Sequence, residues 1–192
     1  QATADLRLVN GRLRIAGTDM SELDRQVALD AVGRIEVEEA ANTVSLAQGV
    51  SGAGVLVKEG AGTLSLDAAN SYAGGTVVEA GRLTRTLAGG FVQNTGYEVN
   101  GGTLDLGGFD LTASRLSGTG GMIALGGSSL EVDQSVNTRF DGVISGTGGL
   151  AKSGTGALVL NGQNTYTGTT RVDGGWLVVG DADHADASLA GT

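Results

Sequence analysis

The chain has no cysteine and no proline among its 192 residues, and only seven of its side chains are aromatic. The absence of cysteine excludes disulfides, thiolate metal ligands and thiol nucleophiles together. Without proline, every residue can donate its backbone N–H, as interior strands of a stacked sheet must. The core must therefore be built from Leu, Val and Ile, and an apolar content of 40% is sufficient for one.

Positive charge is also scarce, since 12 basic residues face 21 acidic ones and the net charge is −9. The densest basic group is the loose set Arg7, Arg12 and Arg14, so we expect no nucleic-acid partner. No apolar run approaches the roughly 18 residues that span a bilayer. The opening residues, QATADLRLVN, lack the regions of a signal peptide, and no methionine begins the chain. We expect a fragment or mature piece of a longer protein.

Glycine is abundant, at 35 residues, and it recurs within an internal repeat. Residues 51–83, SGAGVLVKEGAGTLSLDAANSYAGGTVVEAGRL, align without a gap to residues 145–177, SGTGGLAKSGTGALVLNGQNTYTGTTRVDGGWL, and 16 of 33 positions are identical. From Gly52 to Leu66 every even-numbered position matches its partner and no odd-numbered one does. Alternating identity is typical of extended strands, in which only one face is constrained by packing.

The alternation predicts which side chains of the repeat face the core. The inward set includes three leucines in each copy: Leu56, Leu64, Leu66, Leu150, Leu158 and Leu160. The residues beside the first set, Thr63, Ser65 and Asp67, suit water and are expected to face outward.

The whole chain is predicted to be all-β, with 19 short strands, one of them over 140–144, that stack as a single-stranded parallel β-helix of about eight rungs. We expect one β-helix segment over 1–192, with glycine at the corners and Asn70 and Asn164 in corner conformations of positive φ. Residues 19–30, with Ser21 as a cap and Asp24 three residues later, form the best candidate for a short helical turn. The rival fold is an antiparallel sandwich or barrel, with hairpin turns at Asn10-Gly11, Asn100-Gly101 and Asn161-Gly162.

The two copies resemble the passenger-associated β-strand repeat of bacterial autotransporters, whose loose pattern is GxGGLxKxGxGxLxLxGxNTYxGxTxVxxGxL. The second copy keeps 18 of the pattern's residues, from Gly146 to Leu177, whereas the first departs at Val55, Ala68 and Ser71. The resemblance implies a right-handed β-helical passenger of a type V secretion system, exported across both membranes of a Gram-negative bacterium to the cell surface or the medium. It also implies adjoining passenger domains and a C-terminal outer-membrane β-barrel as partners in the full-length chain.

Three patterns could suggest chemistry, and each has an ordinary structural explanation. Gly146 to Ala151 spells Gly-x-Gly-x-x-Ala, but a strand follows it where a dinucleotide loop needs a helix, so we expect no cofactor. His184, with Asp181, Asp183 and Asp186 nearby, could suggest a metal or a proton relay. A lone histidine in a polar terminal stretch is more often a solvated residue, and no metal site is expected.

Glu36 and Glu38 would share one face of a strand, as the paired carboxylates of glycosidases can, but alternating charge is also ordinary on an exposed sheet face. Tyr72 and Tyr166 match across the copies and are interpreted as corner packing. Trp176 replaces Arg82 on the variable outward set and could belong to a contact patch. We assign no catalytic, cofactor-binding or metal-binding residue.

The favoured function is a noncatalytic scaffold that displays other passenger domains and aids secretion and folding. The alternative is an adhesin surface that binds host matrix, glycans or itself, and a polysaccharide-degrading enzyme using Glu36 and Glu38 is the third hypothesis. A catalytic domain could lie elsewhere in the full-length protein. Unpaired rung edges lead us to expect end-to-end self-association.

Overall fold

The structure is a computed structural model that describes residues 6–189, and it divides the chain into two compact units. Unit 1 ends at Val92 and unit 2 begins at Gln93, so each unit contains one of the two repeat copies. Residues 1–5 of the opening stretch and residues 190–192 at the other end lie outside the described range.

Unit 1 is built from short strands and one 3₁₀ turn, Ala88–Gly90. The strands are β1 (Leu6–Leu8), β2 (Arg12–Ile15), β3 (Glu22–Leu23), β4 (Val27–Leu29), β5 (Val32–Val37), β6 (Thr43–Leu46), β7 (Val50–Ser51), β8 (Val55–Glu59), β9 (Thr63–Leu66), β10 (Thr76–Val78) and β11 (Arg82–Arg85). They form three sheets, with the orders β1-β4-β7, β2-β5-β8-β10 and β3-β6-β9-β11.

Unit 2 continues the pattern with different sheet membership in its later strands. The strands are β12 (Thr95–Val99), β13 (Thr103–Asp105), β14 (Leu111–Ser117), β15 (Met122–Ala124), β16 (Leu130–Asp133), β17 (Thr138–Phe140), β18 (Val143–Ser145), β19 (Leu150–Ser153), β20 (Ala157–Leu160), β21 (Gln163–Asn164), β22 (Thr170–Val172), β23 (Trp176–Val179) and β24 (Ser188–Leu189). Within unit 2 the sheets are ordered β12-β14-β16-β19-β22, β13-β15-β18, β17-β20-β23 and β21-β24.

Each strand pairs in parallel with the equivalent strand one coil away, where a coil is one pass of the chain through the sheets of its unit. Leu64 of β9 is in register with Val44 of β6 on one side and with Leu83 of β11 on the other. The prediction of an all-β parallel β-helix is confirmed, and the antiparallel rival is wrong. The described chain makes about nine coils, four in unit 1 and five in unit 2, against the expected eight.

The interior of each unit is a set of aliphatic columns, because register pairing places equivalent inward residues above one another. All six repeat leucines predicted to face inward are at most 1% exposed, as the alternation requires. Thr63 and Asp67 are partly exposed as expected, but Ser65 is buried. Its hydroxyl donates to Asp67 at 2.5 Å, so a polar neighbour takes the place of water.

Residues 19–30 do not form a helical turn. They contain β3 and β4 instead, since Leu23 and Val27 are needed in the buried columns. Asn70 and Asn164 also differ from expectation, because positive φ among the described non-glycine residues occurs at Asn10 and Asn94. In the part of the chain that the structure describes, no helix has the length and apolarity to cross a membrane.

Candidate functional site

The glycine string of the second copy has the wrong surroundings for a nucleotide. Gly146 and Gly148 precede β19, and β20 follows, so no helix N-terminus faces the string. A Cβ added to Gly148 would lie 1.8 Å from the carbonyl oxygen of Ser128 in the preceding coil. These glycines therefore permit close stacking of coils.

Glu36 and Glu38 belong to an ion-pair network on the outward face of β2, β5 and β8. Arg14 contacts both carboxylates, and the hydrogen bond and charge of Glu38 raise the pKa of Arg14. Arg12 lies 3.5 Å from Glu36 and 2.9 Å from Glu59. Both candidate carboxylates are thus engaged by arginine from the neighbouring strand, as in cross-strand pairing of opposite charges.

Asp67 connects three successive coils on the outward side of the first copy. It accepts hydrogen bonds from the hydroxyls of Ser45 (2.6 Å), Ser65 (2.5 Å) and Thr86 (2.8 Å). Burial acts to raise the pKa of Asp67, but these donors outweigh it and the net shift is downward. Asp67 therefore acts as an acceptor shared between coils.

Asn161 occupies the equivalent position in the second copy with the opposite hydrogen-bonding role. Its Nδ2 donates to Asp141 in the coil before (2.7 Å) and to Asp181 in the coil after (2.9 Å). Arg139 adds a 3.0 Å ion pair to Asp141. The two copies thus reach the same intercoil connection with donor and acceptor exchanged.

Asn70 and Asn164 provide a second type of connection, which explains their ordinary φ. Asn70 accepts from the backbone N–H of Val50 (2.5 Å) and donates to the carbonyl of Gly90 (2.6 Å), one coil to either side. Asn164 accepts from Ile144 (2.9 Å) and donates to Ser188 (3.0 Å) in the same way. The amide side chain satisfies backbone groups that strand pairing leaves free at these corners.

His184 is held in a polar contact and is not simply solvated. Its Nδ1 lies 2.6 Å from Asp181 Oδ1, and this hydrogen bond raises the pKa of His184. The same bond is the main cause that lowers the pKa of Asp181 to about 2. Within residues 6–189, no group of three or more His, Cys, Asp or Glu side chains is arranged to hold a metal.

Tyr72 and Tyr166 pack inside the corners, and both are fully buried. The phenol of Tyr72 is 2.8 Å from the hydroxyl of Thr76, and that of Tyr166 is 2.6 Å from Thr170. Burial raises the pKa of Tyr166. The interpretation of these residues as corner packing agrees with their geometry.

Two lysines form polar contacts that we did not anticipate from the sequence. Lys58 is fully buried, and its Nζ donates to the carbonyls of Glu59 (2.6 Å), Gly60 (2.8 Å) and Ala80 (3.1 Å). Burial lowers its pKa to about 8. The alternating identity of the two copies already indicated that Lys58 faces inward, because it falls on the matched set.

Lys152 repeats this arrangement in the second copy. It is also fully buried, and its Nζ donates to the carbonyls of Ser153, Gly154 (3.2 Å) and Gly174 (3.4 Å). Burial again lowers its pKa. Each lysine therefore contacts its own corner and the corner of the coil that follows.

Trp176 is the most exposed of the large apolar side chains of the described residues, at 72%. It is in register with Ala157 on the outward face of β20 and β23, and Val178 lies over Val159. We call Ala157, Val159, Trp176 and Val178 the apolar strip. A separate groove in unit 2 is lined by Glu131, Arg171 and several glycines.

Both repeat copies match a known protein family. The family described as the passenger-associated-transport-repeat matches residues 56–84 and 150–179, which are β8 to β11 and β19 to β23. In an alignment of 185 positions that covers 92% of the chain, the chain is 46% identical to an autotransporter named adhesin BmaC from Brucella suis. The chain is a segment of an autotransporter passenger.

Further relatives support the assignment of this passenger segment. A 40-residue stretch, 21% of the chain, is 58% identical to the autotransporter lipoprotein NalP of Neisseria meningitidis. The chain spans only 5% of the Brucella relative and 4% of the Neisseria relative. No solved structure matches it. Such a passenger is exported across the outer membrane to the cell surface or the medium.

Proposed function

We propose that this passenger segment is a noncatalytic scaffold that displays adjoining domains, and that its full-length protein continues into a C-terminal outer-membrane β-barrel. The support is the use of polar side chains for stacking. Asp67, Asn161, Asn70 and Asn164 each connect successive coils, and the carboxylates of Glu36 and Glu38 are engaged by arginine. A surface whose polar groups hold coils together suits a spacer.

The test uses coil-length deletions in the full-length protein, with an epitope placed before residue 1. Leu130 is in register with Leu150, so removing 130–149 deletes one coil of 20 residues and joins Ser129 to the equivalent strand position. The matched control removes 131–149, which joins Leu130 to Leu150 and shifts the alternation of the strand that follows by one residue. Flow cytometry of intact cells measures epitope display.

A scaffold tolerates the in-phase deletion, so display should stay within about twofold because every remaining strand keeps a partner. The out-of-phase deletion should reduce display at least tenfold, since it places the inward leucines against solvent. Equal display from both deletions, or loss from both, would contradict the scaffold proposal.

Adhesion is the second candidate, and the apolar strip is the observation that favours it. An exposed tryptophan beside two valines is unusual on a charged surface and is typical of contact sites. The Brucella relative is named an adhesin. Binding of the purified chain to host matrix, glycans or itself should fall at least fivefold in Trp176→Ala, whereas Arg82→Ala, at the matched position of the first copy, should leave it unchanged.

A further inference from the structure

Both lysines of the chain are fully buried, although lysine is the residue type most often left in water. All ten of the other basic residues are arginines. The two lysines occupy the same position in the two repeat copies, 94 residues apart. A leucine would fill the same space without the cost of removing a charged group from water. Burial of a cation in both copies therefore needs another explanation.

The ammonium group of each lysine is matched by three backbone carbonyls. An ammonium has three N–H donors and no acceptor, so three carbonyls satisfy it completely. For Lys58, two of them belong to its own corner, Glu59 and Gly60, and the third is Ala80 of the following coil. The contact is therefore complete only when the following coil is stacked in its native register.

The corner of the following coil is shaped around this contact. Gly81 has φ +64, and a Cβ there would lie 2.8 Å from Lys58 Nζ and 2.4 Å from the Gly60 carbonyl oxygen. Gly175, the equivalent in the second copy, has φ +63, and a Cβ there would lie 2.7 Å from the Gly154 carbonyl oxygen. Both corners need glycine for conformation and for space.

We propose that Lys58 and Lys152 are register-specifying residues, each of which selects the coil that stacks on its own through a buried ammonium shared between two corners. Aliphatic columns discriminate poorly, because Leu64 has Val44 on one side and Leu83 on the other. A following coil shifted by two residues along the strands would keep its inward side chains facing inward and would place Leu83 on Leu66 instead of Leu64. It would also move the Ala80 carbonyl away from Lys58 and leave a buried ammonium without its third partner, which is strongly unfavourable.

The titration of Lys58 is consistent with a role in specificity more than in stability. Burial lowers its pKa from 10.5 to about 8, opposed by the charges of Glu59 on β8 and Glu36 on β5. Between these values the unfolded chain keeps the proton and the folded chain releases it. The free energy of unfolding therefore rises with pH across this window in the wild type, and this rise should be absent in Lys58→Met.

Because the chain has no cysteine, engineered cysteine pairs can report the register. Thr63 of β9 is in register with Arg82 of β11, and Ser65 is in register with Thr84. Cysteines at 63 and 82 can therefore form a disulfide, whereas those at 65 and 82 are diagonal neighbours with Cα atoms about 8 Å apart and can bond only if β11 is shifted by two residues. The 192-residue chain is refolded from denaturant at pH 7 and oxidised, and the disulfides are quantified by mass spectrometry.

We expect the 65–82 disulfide to increase at least fivefold in Lys58→Met at the expense of the 63–82 disulfide. Lys152→Met is the matched control and should leave both yields unchanged, since it acts in the other copy. Lys58→Arg should not restore the native yield, because a planar guanidinium with five donors does not fit three converging carbonyls. Unchanged disulfide yields in Lys58→Met would overturn the proposal.

If Lys58→Met does not fold, Lys58→Gln takes its place in the same assay, because glutamine keeps two N–H donors and has no charge. The pH dependence of thermal unfolding between pH 8 and 10.5 is the second measurement. A residue that only fills space would leave this slope unchanged when replaced, and that result would also count against the proposal.

Discussion

The two repeat copies share their inward side chains and differ at the alternate, outward positions of the strands. Inward positions such as Leu64 and Leu158 are identical and fully buried, whereas outward positions have changed, with Asp67 against Asn161 and Arg82 against Trp176. The outward changes are not random, because Asp67 and Asn161 both connect three coils. Packing in the core restricts an inward position to one type of side chain. An outward polar position can change its residue type as long as the coils before and after it supply complementary hydrogen-bond partners.

The largest expected effect lies in the shared interior. Leu64→Ala and Leu158→Ala should each lower the free energy of unfolding by about 3 kcal/mol, because each leaves a cavity between two adjacent coils. Urea denaturation of the chain measures the two losses. Thr63→Ala, next to Leu64 on the outward set, is the control and should change stability by less than about 0.5 kcal/mol. A loss below about 1 kcal/mol at either leucine would show that the interiors are not equivalent.

The exchanged hydrogen-bond roles predict an asymmetric response to swapping the two residues. Asn161→Asp places a third carboxylate between Asp141 and Asp181 and should destabilise the chain by about 2 kcal/mol near pH 7. Asp67→Asn should be milder, at about 0.5–1 kcal/mol, because the hydroxyls around it can accept as well as donate. Urea denaturation at pH 7 and pH 4 measures both.

Repulsion raises the pKa of the introduced carboxyl above that of its unfolded form, so the Asn161→Asp penalty should shrink as the pH falls. Asp67→Ala and Asn161→Ala remove the connection from both copies and serve as matched controls. Equal losses from the two swaps would mean that the identity of the connecting side chain does not matter.

Unit 2 should also carry a pH dependence near neutral pH that unit 1 lacks, because His184 is the one histidine of the chain. Its contact with Asp181 raises the pKa of His184, so this contribution to stability is complete below the unfolded pKa of about 6.5 and is lost as pH rises through the folded value. The pKa of Asp181 is about 2, so its own contribution is present above 3.8 and is lost toward pH 2.

An NMR titration of the imidazole measures this directly. The midpoint should lie above about 6.5 in the wild type and should move down toward that value in Asp181→Asn. Asp141 and Arg139 also act on the imidazole with opposite signs, so Asp141→Asn should produce a smaller downward shift. A wild-type midpoint below 6.5 would contradict the contact.

Periodicity in the sequence was sufficient for the fold because alternating identity reports burial directly. Each of the 19 predicted strands overlaps an observed one, and the strands missed entirely, β3, β7, β21 and β24, are only two residues long. Such strands contain too few residues to alternate. Residues 140–144, predicted as one strand, are divided into β17 and β18 by a turn at Asp141 and Gly142.

The roles of polar residues were harder to predict, since they depend on partners about 20 residues away. Asparagine is common in turns, so the sequence predicts turn conformations for Asn70 and Asn164. Only the positions of the neighbouring coils show that their side-chain amides bind backbone groups of those coils. Lys58 falls on the inward set by alternation, yet lysine is usually found at the surface. Its burial could be predicted only with the positions of the carbonyls that accept its hydrogen bonds. The sequence placed Trp176 on the outward set, but the alignment of Trp176 with Ala157 and of Val178 with Val159 depends on the register of β20 and β23.

The smallest expected effect on stability is at Trp176, and this makes it the most informative surface variant. Trp176→Arg restores the residue type of the first copy, and because the side chain is 72% exposed, stability should change by less than about 0.5 kcal/mol. Urea denaturation checks this, and Val178→Thr is the control on the same strip. If Trp176→Arg abolishes binding to a host surface while leaving stability and export unchanged, the outward divergence of the second copy serves adhesion. If binding is unaffected, Trp176 is a neutral outward substitution, and the scaffold proposal alone accounts for both copies.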